Sequence, residues 1–190
     1  MDWILASASP RRKELLGELL PAFEIIPAKG EEICRAEWSV EETVRALAAQ
    51  KAREVAGLPL AKDKAVLGAD TVVSLNGEIL GKPVSKADAA RMLCALSGKE
   101  HEVYTGVCVS YPSGNGERKE IVAAACTKVF FEELTNKQIE RYIESGSPMD
   151  KAGAYGIQDG GLVKKIEGSF SNVVGLPVEL CKEIIEKISL

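Results

Sequence analysis

The sequence has one histidine, His101, and no two cysteines at C-x-x-C spacing. No metal site built on cysteine or histidine spacing is therefore recognisable. The five cysteines, at 34, 94, 108, 126 and 181, are an odd number. They read as reduced thiols, mostly small core residues, which points to a cytoplasmic location. No apolar run approaches the length of a membrane span, so no membrane partner is expected. The few residues before Ala6-Ser7 are too short for an export signal. The net charge is −4, which excludes the broad basic footprint of a nucleic-acid surface. It does not exclude a small anion, because local charge can oppose net charge. Neither G-x-x-x-x-G-K-[ST] nor G-x-G-x-x-G occurs. The chain is thus neither a P-loop protein nor a standard dinucleotide binder.

What is present is an ordinary globular composition, with 190 residues of which 46% are hydrophobic and 27% charged. That suffices for a single domain, 1–190, with its own core. Short strands are expected at Ile4 to Ala6 and Phe23 to Ile26. Longer ones are expected at Lys64 to Leu75, Glu102 to Tyr111 and Lys119 to Phe131. Asn76-Gly77 signals a hairpin returning through Glu78 to Leu80. A Pro-Ser-Gly-Asn-Gly turn joins the two long strands. His101 falls in a polar–apolar alternation and reads as a strand surface residue.

Helices are expected from Pro10, with Leu15, Leu16, Leu19 and Leu20 as its apolar stripe. Others run from Ser39 to Ala56, Ser85 to Leu96 and Thr135 to Ser145, and from Pro177 to about Ile188. Ser39 with Glu42, and Thr135 with Gln138, have capping-box spacing. Residues 148–177 are rich in glycine and poor in helix pattern, with a strand expected at Leu162 to Ile166. Helices alternate with strands, but hairpins interrupt them. The fold class is therefore α/β, with a mixed β-sheet flanked by helices.

Three features carry chemistry. In S-A-S-P-R-R (7–12), two arginines stand at the start of a helix, where the macrodipole disfavours cations. The arrangement makes sense as an anion site, with helix N–H groups and serine hydroxyls as further donors. Neighbouring helical residues point about 100° apart, so the two arginines grip different groups. The alternative is a pair of surface arginines. In G-A-D-T-V-V (68–73), Asp70 interrupts an apolar run. Its burial is costly unless it is paired or holds a metal. Either it bonds local backbone at a strand kink, or it faces a cleft at a strand end as metal ligand or general base. Lys82, in G-K-P, could return toward Asp70, and Lys51 lies on the small-residue face of the second helix. Glu31-Glu32 is by default a solvated pair. The glycine-dense loop 147–161 lets backbone approach a ligand. In it Gln158 offers both a donor and an acceptor to a base edge.

S-x-S-P-R-R, G-A-D-T-V-V with G-K-P, L-S-G, T-G-V, D-K-A-G-A-Y-G-I-Q and N-V-V-G-L-P occur in this order over nearly the whole chain. In this the sequence resembles the Maf family of nucleoside triphosphate pyrophosphatases. The resemblance implies two lobes with a cleft, in a fold related to that of the inosine triphosphatase family. It implies cleavage of a nucleoside triphosphate substrate to the monophosphate and pyrophosphate, with Mg²⁺ or Mn²⁺ as the divalent cofactor. By the resemblance Asp70 is the proton acceptor. Ser7, Arg12, Lys51 and Lys82 bind phosphate, and Glu32 with Asp70 holds the metal. Arg11, Thr71 and Gln158 match the branch acting on dTTP and UTP. Asp159, where some relatives have glycine, places a negative charge near the base pocket. A nucleotide-binding regulator without turnover and a nucleotidyltransferase remain as alternatives. The oligomeric state is open between monomer and homodimer.

Overall fold

The computed structural model describes residues 1–113 and 116–188. Seven strands form one sheet: β1 (Trp3–Leu5), β2 (Glu24–Ile25), β3 (Ala65–Leu75), β4 (Glu78–Leu80), β5 (Glu100–Pro112), β6 (Arg118–Phe131) and β7 (Val163–Glu167). Their order is β2-β1-β3-β5-β6-β7, and β4 pairs with β3. β1 runs parallel to β2 and β3, while the β3–β4, β3–β5, β5–β6 and β6–β7 pairs are antiparallel. The sheet is mixed, as expected. Six helices flank it: α1 (Pro10–Gly17), α2 (Val40–Ala56), α3 (Lys86–Leu96), α4 (Asn136–Glu144), α5 (Phe170–Val174) and α6 (Val178–Ile188).

The capping signals behave as read. Ser39 and Glu42 form a capping box on α2, and Thr135 and Gln138 form one on α4. Asn76 and Gly77 both have positive φ, which the two-residue hairpin between β3 and β4 requires. Gly114 and Asn115 of the turn expected after β5 lie outside the described residues. α1 stops at Gly17, so Leu19 and Leu20 of its apolar stripe pack from beyond the helix end.

The strand period of two divides the core. Ala65, Leu67 and Ala69 of β3, with Val107 and Val109 of β5, pack on Leu16, Leu176, Cys181 and Ile184. Farther along the same face, Val73 and Val103 pack with Leu93, Leu96, Phe131, Ile139 and Tyr155. These two clusters are the cores of two lobes on one sheet face, and a cleft lies between them. The opposite face belongs to α2, which covers Val66 and Cys108 with Val55, Ala48 and Ala52.

α2 lies unusually close to the sheet. A Cβ on Gly68 would stand 2.5 Å from the Ala48 carbonyl oxygen, and one on Gly106 would stand 2.1 Å from that of Val44. These glycines are needed for space rather than for backbone conformation.

Two expectations are corrected. His101 is buried, not on the surface, because β5 begins at Glu100 and His101 shares the inward face of Val103. It packs edge-on to Phe131 and Tyr155, and its Nε2 lies 2.8 Å from the Tyr155 hydroxyl. Burial lowers its pKa to about 4, so it is neutral at pH 7. All five cysteines are free, but only Cys108 and Cys181 are buried; Cys34, Cys94 and Cys126 are exposed.

Replacing Gly106 by alanine should force α2 off the sheet. Overpacking of this kind costs about 1–3 kcal/mol. A lowered urea midpoint for Gly106→Ala checks it, and Gly77→Ala, with nothing near its Cβ position, separates a packing effect from the strain of positive φ.

Candidate active site

The site begins with an interruption in the sheet. β5 pairs with β3 along nearly its whole length, so β1 and β4 share the other edge. β1 reaches only to Leu67, and β4 meets β3 again at Val73. Between them Gly68–Val72 has no strand neighbour on that edge. Asp70 is therefore in the middle of a long strand rather than at a strand end. It lies within the unpaired stretch of that edge all the same.

Arg12 fills part of this gap. Its Nη1 donates to the Ala69 carbonyl at 2.9 Å and to Ser7 Oγ at 3.3 Å. Its Nη2 donates to Thr71 Oγ1 at 3.0 Å, and its Nε to the Gly175 carbonyl at 2.8 Å. One guanidinium thus ties α1 to β3 and to the end of α5. The Ser9 hydroxyl accepts the Arg12 N–H and caps α1. The anion site expected at this helix start therefore has one arginine already engaged with protein oxygens. Arg11 points elsewhere, as the helical angle requires, with its Nη1 3.4 Å from Asp150.

On the α2 side, Asp70 is 8% exposed. Its Oδ1 accepts from Lys51 Nζ at 2.5 Å, and the same ammonium lies 2.8 Å from Glu32. Burial raises the Asp70 pKa, Lys51 and Arg12 oppose that rise, and Glu32 adds to it. Glu32 is not a solvated bystander, because its loop is clamped to α2. Gln50 both donates to and accepts from the backbone of Ile33, at 2.8 and 3.0 Å. The Glu54 carboxylate accepts the N–H groups of Lys29 and Gly30.

The cleft is open to solvent. Arg11, Arg12, Thr71, Lys82, Asp150 and Gln158 line it, with Val73 and Val103 as an apolar floor. Among the described residues, Lys82 and Gln158 have no hydrogen-bond or ion partner, so their polar ends are available. Asp159 turns away from that role. It accepts from the Tyr142 and Ser147 hydroxyls and lies 4.0 Å from Lys151. It anchors the loop that carries Gln158. A second recess, past the end of β1, joins Ser7, Glu32, Lys51 and Lys82 to Arg11 and Arg12.

A family model described as "Maf-like protein" matches residues 2–188. The chain belongs to the Maf family. A relative from Moorella thermoacetica named dTTP/UTP pyrophosphatase is 51% identical over 186 residues, covering 96% of this chain and 92% of its own. One of the same name from Bdellovibrio bacteriovorus is 46% identical over 191 residues, covering 97% of both. The fold is shared with solved Ham1 proteins at 16% identity. That from Coxiella burnetii has a TM-score of 0.56 and covers 98% of this chain and 99% of its own. That from Staphylococcus aureus scores 0.54, covering 99% and 100%. The expected inosine-triphosphatase-like architecture is thus the one this Maf chain adopts.

Arg11, Arg12, Thr71, Lys82 and Gln158 line the cleft, and Ser7, Glu32 and Lys51 line the recess beside it with Lys82; Asp70 joins them through its bond to Lys51. Sequence reading gave no role to Thr105, Asn172 or Gly175. Asn172 is 0% exposed, and its Nδ2 donates to the Val103 carbonyl and to Thr127 Oγ1. Its Oδ1 has no partner. A buried acceptor left unpaired costs about 1–3 kcal/mol, so this Maf site is not built for stability alone. The signal available was the N-V-V-G-L-P motif, whose Asn is buried and whose Gly presents its carbonyl to Arg12.

Arg12→Ala removes a donor from several protein oxygens. It should lower stability by about 1–3 kcal/mol, whereas Lys82→Ala, at an exposed position, should stay within about 0.5 kcal/mol. Denaturant midpoints of the two variants check the contrast.

Proposed function

We propose that the chain hydrolyses dTTP and UTP at the α–β phosphate bond, giving the nucleoside monophosphate and pyrophosphate. The observation that carries this is a buried carboxylate, Asp70, bonded to Lys51, which lines a recess together with Glu32, Arg11, Arg12 and Lys82. Relatives named for this activity, at about half-identical sequence over nearly their whole length, support it.

The triphosphate lies between the two arginines and Lys82, with its base toward Gln158. Asp70 accepts the proton of the attacking water. Its raised pKa makes it a stronger base than an ordinary aspartate, and Lys51 keeps it ionised and oriented. Negative charge that develops on the pyrophosphate leaving group is met by Arg12, Lys51 and Lys82, donors fixed before reaction begins. The Gln158 amide pairs with the pyrimidine edge, where an N–H lies between two carbonyls. Arg11 and Thr71 shape the same end of the cleft. A cytoplasmic location, where nucleoside triphosphates and free thiols coexist, belongs to the same proposal.

Glu32 and Asp70 also fit a divalent cation. They reach one position from two separate segments, both within ion-pair distance of the Lys51 ammonium. Among the described residues no group of three His, Cys, Asp or Glu gathers. Two carboxylates with substrate phosphates completing the shell is the usual pattern for Mg²⁺. A bound Mg²⁺ or Mn²⁺ supplies Lewis acidity and neutralises phosphate charge.

Asp70→Asn should lower kcat by about 10²-fold or more, the scale of a lost general base. Because the base must be ionised, wild-type kcat/KM should fall as pH drops through a midpoint above the ordinary aspartate value of about 3.9. The variant should lose that limb. The stability sign is opposite. In the folded state the carboxyl keeps its proton to higher pH than in the unfolded state. Its ionisation therefore opposes folding as pH rises. Asp70→Asn should melt no lower than wild type at pH 7. Lower melting with unchanged kcat would sink the assignment.

A panel of nucleoside triphosphates tests selectivity. One mismatched buried donor or acceptor is worth about ten- to a hundredfold, so dTTP and UTP should exceed ATP, GTP and 7-methyl-GTP by that order. Gln158→Glu should depress dTTP turnover and leave the melting temperature unmoved. Equal hydrolysis of purines and pyrimidines would remove the pocket assignment.

A further inference from the structure

The T-G-V motif at 105–107 divides between the two faces of β5. Gly106 lies beneath α2. Thr105 faces the other way, is 0% exposed and does not itself line the cleft. It is the cross-strand partner of Thr71.

Its hydroxyl stands in a chain of hydrogen bonds. Thr105 Oγ1 lies 3.1 Å from the Asn172 carbonyl, which can only accept. Having one hydrogen, Thr105 donates it there and accepts from Thr71 Oγ1 at 3.0 Å. Thr71 then has its lone pairs turned to Arg12 Nη2 at 3.0 Å. The opposite order would send the Thr71 proton to the Gly175 carbonyl at 3.3 Å, an oxygen that already accepts from Arg12 Nε at 2.8 Å. The first order uses the shorter bond and leaves Gly175 to the guanidinium. The far end of the chain is fixed, because the buried Asn172 amide bonds both Val103 and Thr127.

We propose that Thr105 is a positioning residue for Arg12. By accepting the Thr71 proton it fixes the rotation of the Thr71 hydroxyl, keeps a lone pair turned to the guanidinium, and so holds Arg12 in the orientation that meets a triphosphate. The inference rests on reading the cleft as the triphosphate site. A corollary is that the Thr71 hydroxyl is fully engaged inside the protein. Thr71 influences the substrate through Arg12 rather than by touching the base.

The test compares Thr105→Val, Thr105→Ser and Thr71→Val, in wild-type and Arg12→Lys backgrounds. Valine keeps the shape and removes the hydroxyl; serine keeps the hydroxyl. Thr105→Val and Thr71→Val should each lower kcat/KM for dTTP about tenfold, the scale of one lost hydrogen bond. Thr105→Ser should stay near wild type. On Arg12→Lys, where the fork to Thr71 is gone, Thr105→Val should cost no more than about twofold further, as coupled sites do. A second readout needs no substrate. The Arg12 Nη2–H signal in ¹⁵N NMR, the one that reports the bond to Thr71, should be protected from exchange in wild type and Thr105→Ser, and unprotected in Thr105→Val. A protected signal in Thr105→Val, or a full tenfold loss repeated in the Arg12→Lys background, overturns the proposal. If wild type does not hydrolyse dTTP, the substrate reading fails, and the NMR comparison alone decides on Thr105.

Discussion

The structure depends on the direct contact of the α2 backbone with the sheet. Gly68 and Gly106 sit side by side on β3 and β5 in the register that pairs Gly68 with Cys108 and Asp70 with Gly106. With no side chain at either glycine, Ala48 and Ala52 settle against the strands. Lys51 is carried by the same turn of helix as these alanines. It is thereby brought to Asp70 with its stem packed and its ammonium aimed. Gln50 and Glu54, on the next face round, take hold of the 29–33 loop and bring Glu32 to the same ammonium. A packing constraint of two missing Cβ atoms thus sets the positions of three charges.

Those charges are held in an unfavourable state. Burial raises the Asp70 pKa, and Glu32 adds to that rise. Lys51 and Arg12 counter it. A buried carboxylate with a perturbed pKa is a mark of function rather than of stability. The unpaired Oδ1 of Asn172 belongs to the same pattern. The two apolar clusters on either side of the cleft supply stability that offsets such costs.

Local signals were legible in the sequence. The capping boxes of α2 and α4 and the Asn76-Gly77 hairpin are decided within four residues, so no tertiary knowledge is needed. The site residues were legible because the chemistry demands rare placements: arginines at a helix start, an aspartate in an apolar strand. Long-range effects were not. α5 has five residues, too few for a periodic pattern, and is held by Asn172 from inside the protein. Glu32 is exposed, as read, but its reach to Lys51 was hidden because the grip of Gln50 comes from a separate element. His101 shares the parity of Val103, so its burial was written in the alternation. The strand start placed at Glu102 instead of Glu100 hid it.

The vacant edge of β3 has a meaning beyond chemistry. An unpaired run of strand backbone invites another strand to add to it, and folded proteins protect such edges with charge, brevity or a cover. Here the run Gly68–Val72 is shielded by one guanidinium, which bonds the Ala69 carbonyl and stands its positive charge at the opening. The same arginine that lines the cleft also covers this strand edge. A neutral or shorter residue here would alter the cleft wall and uncover unpaired strand backbone together.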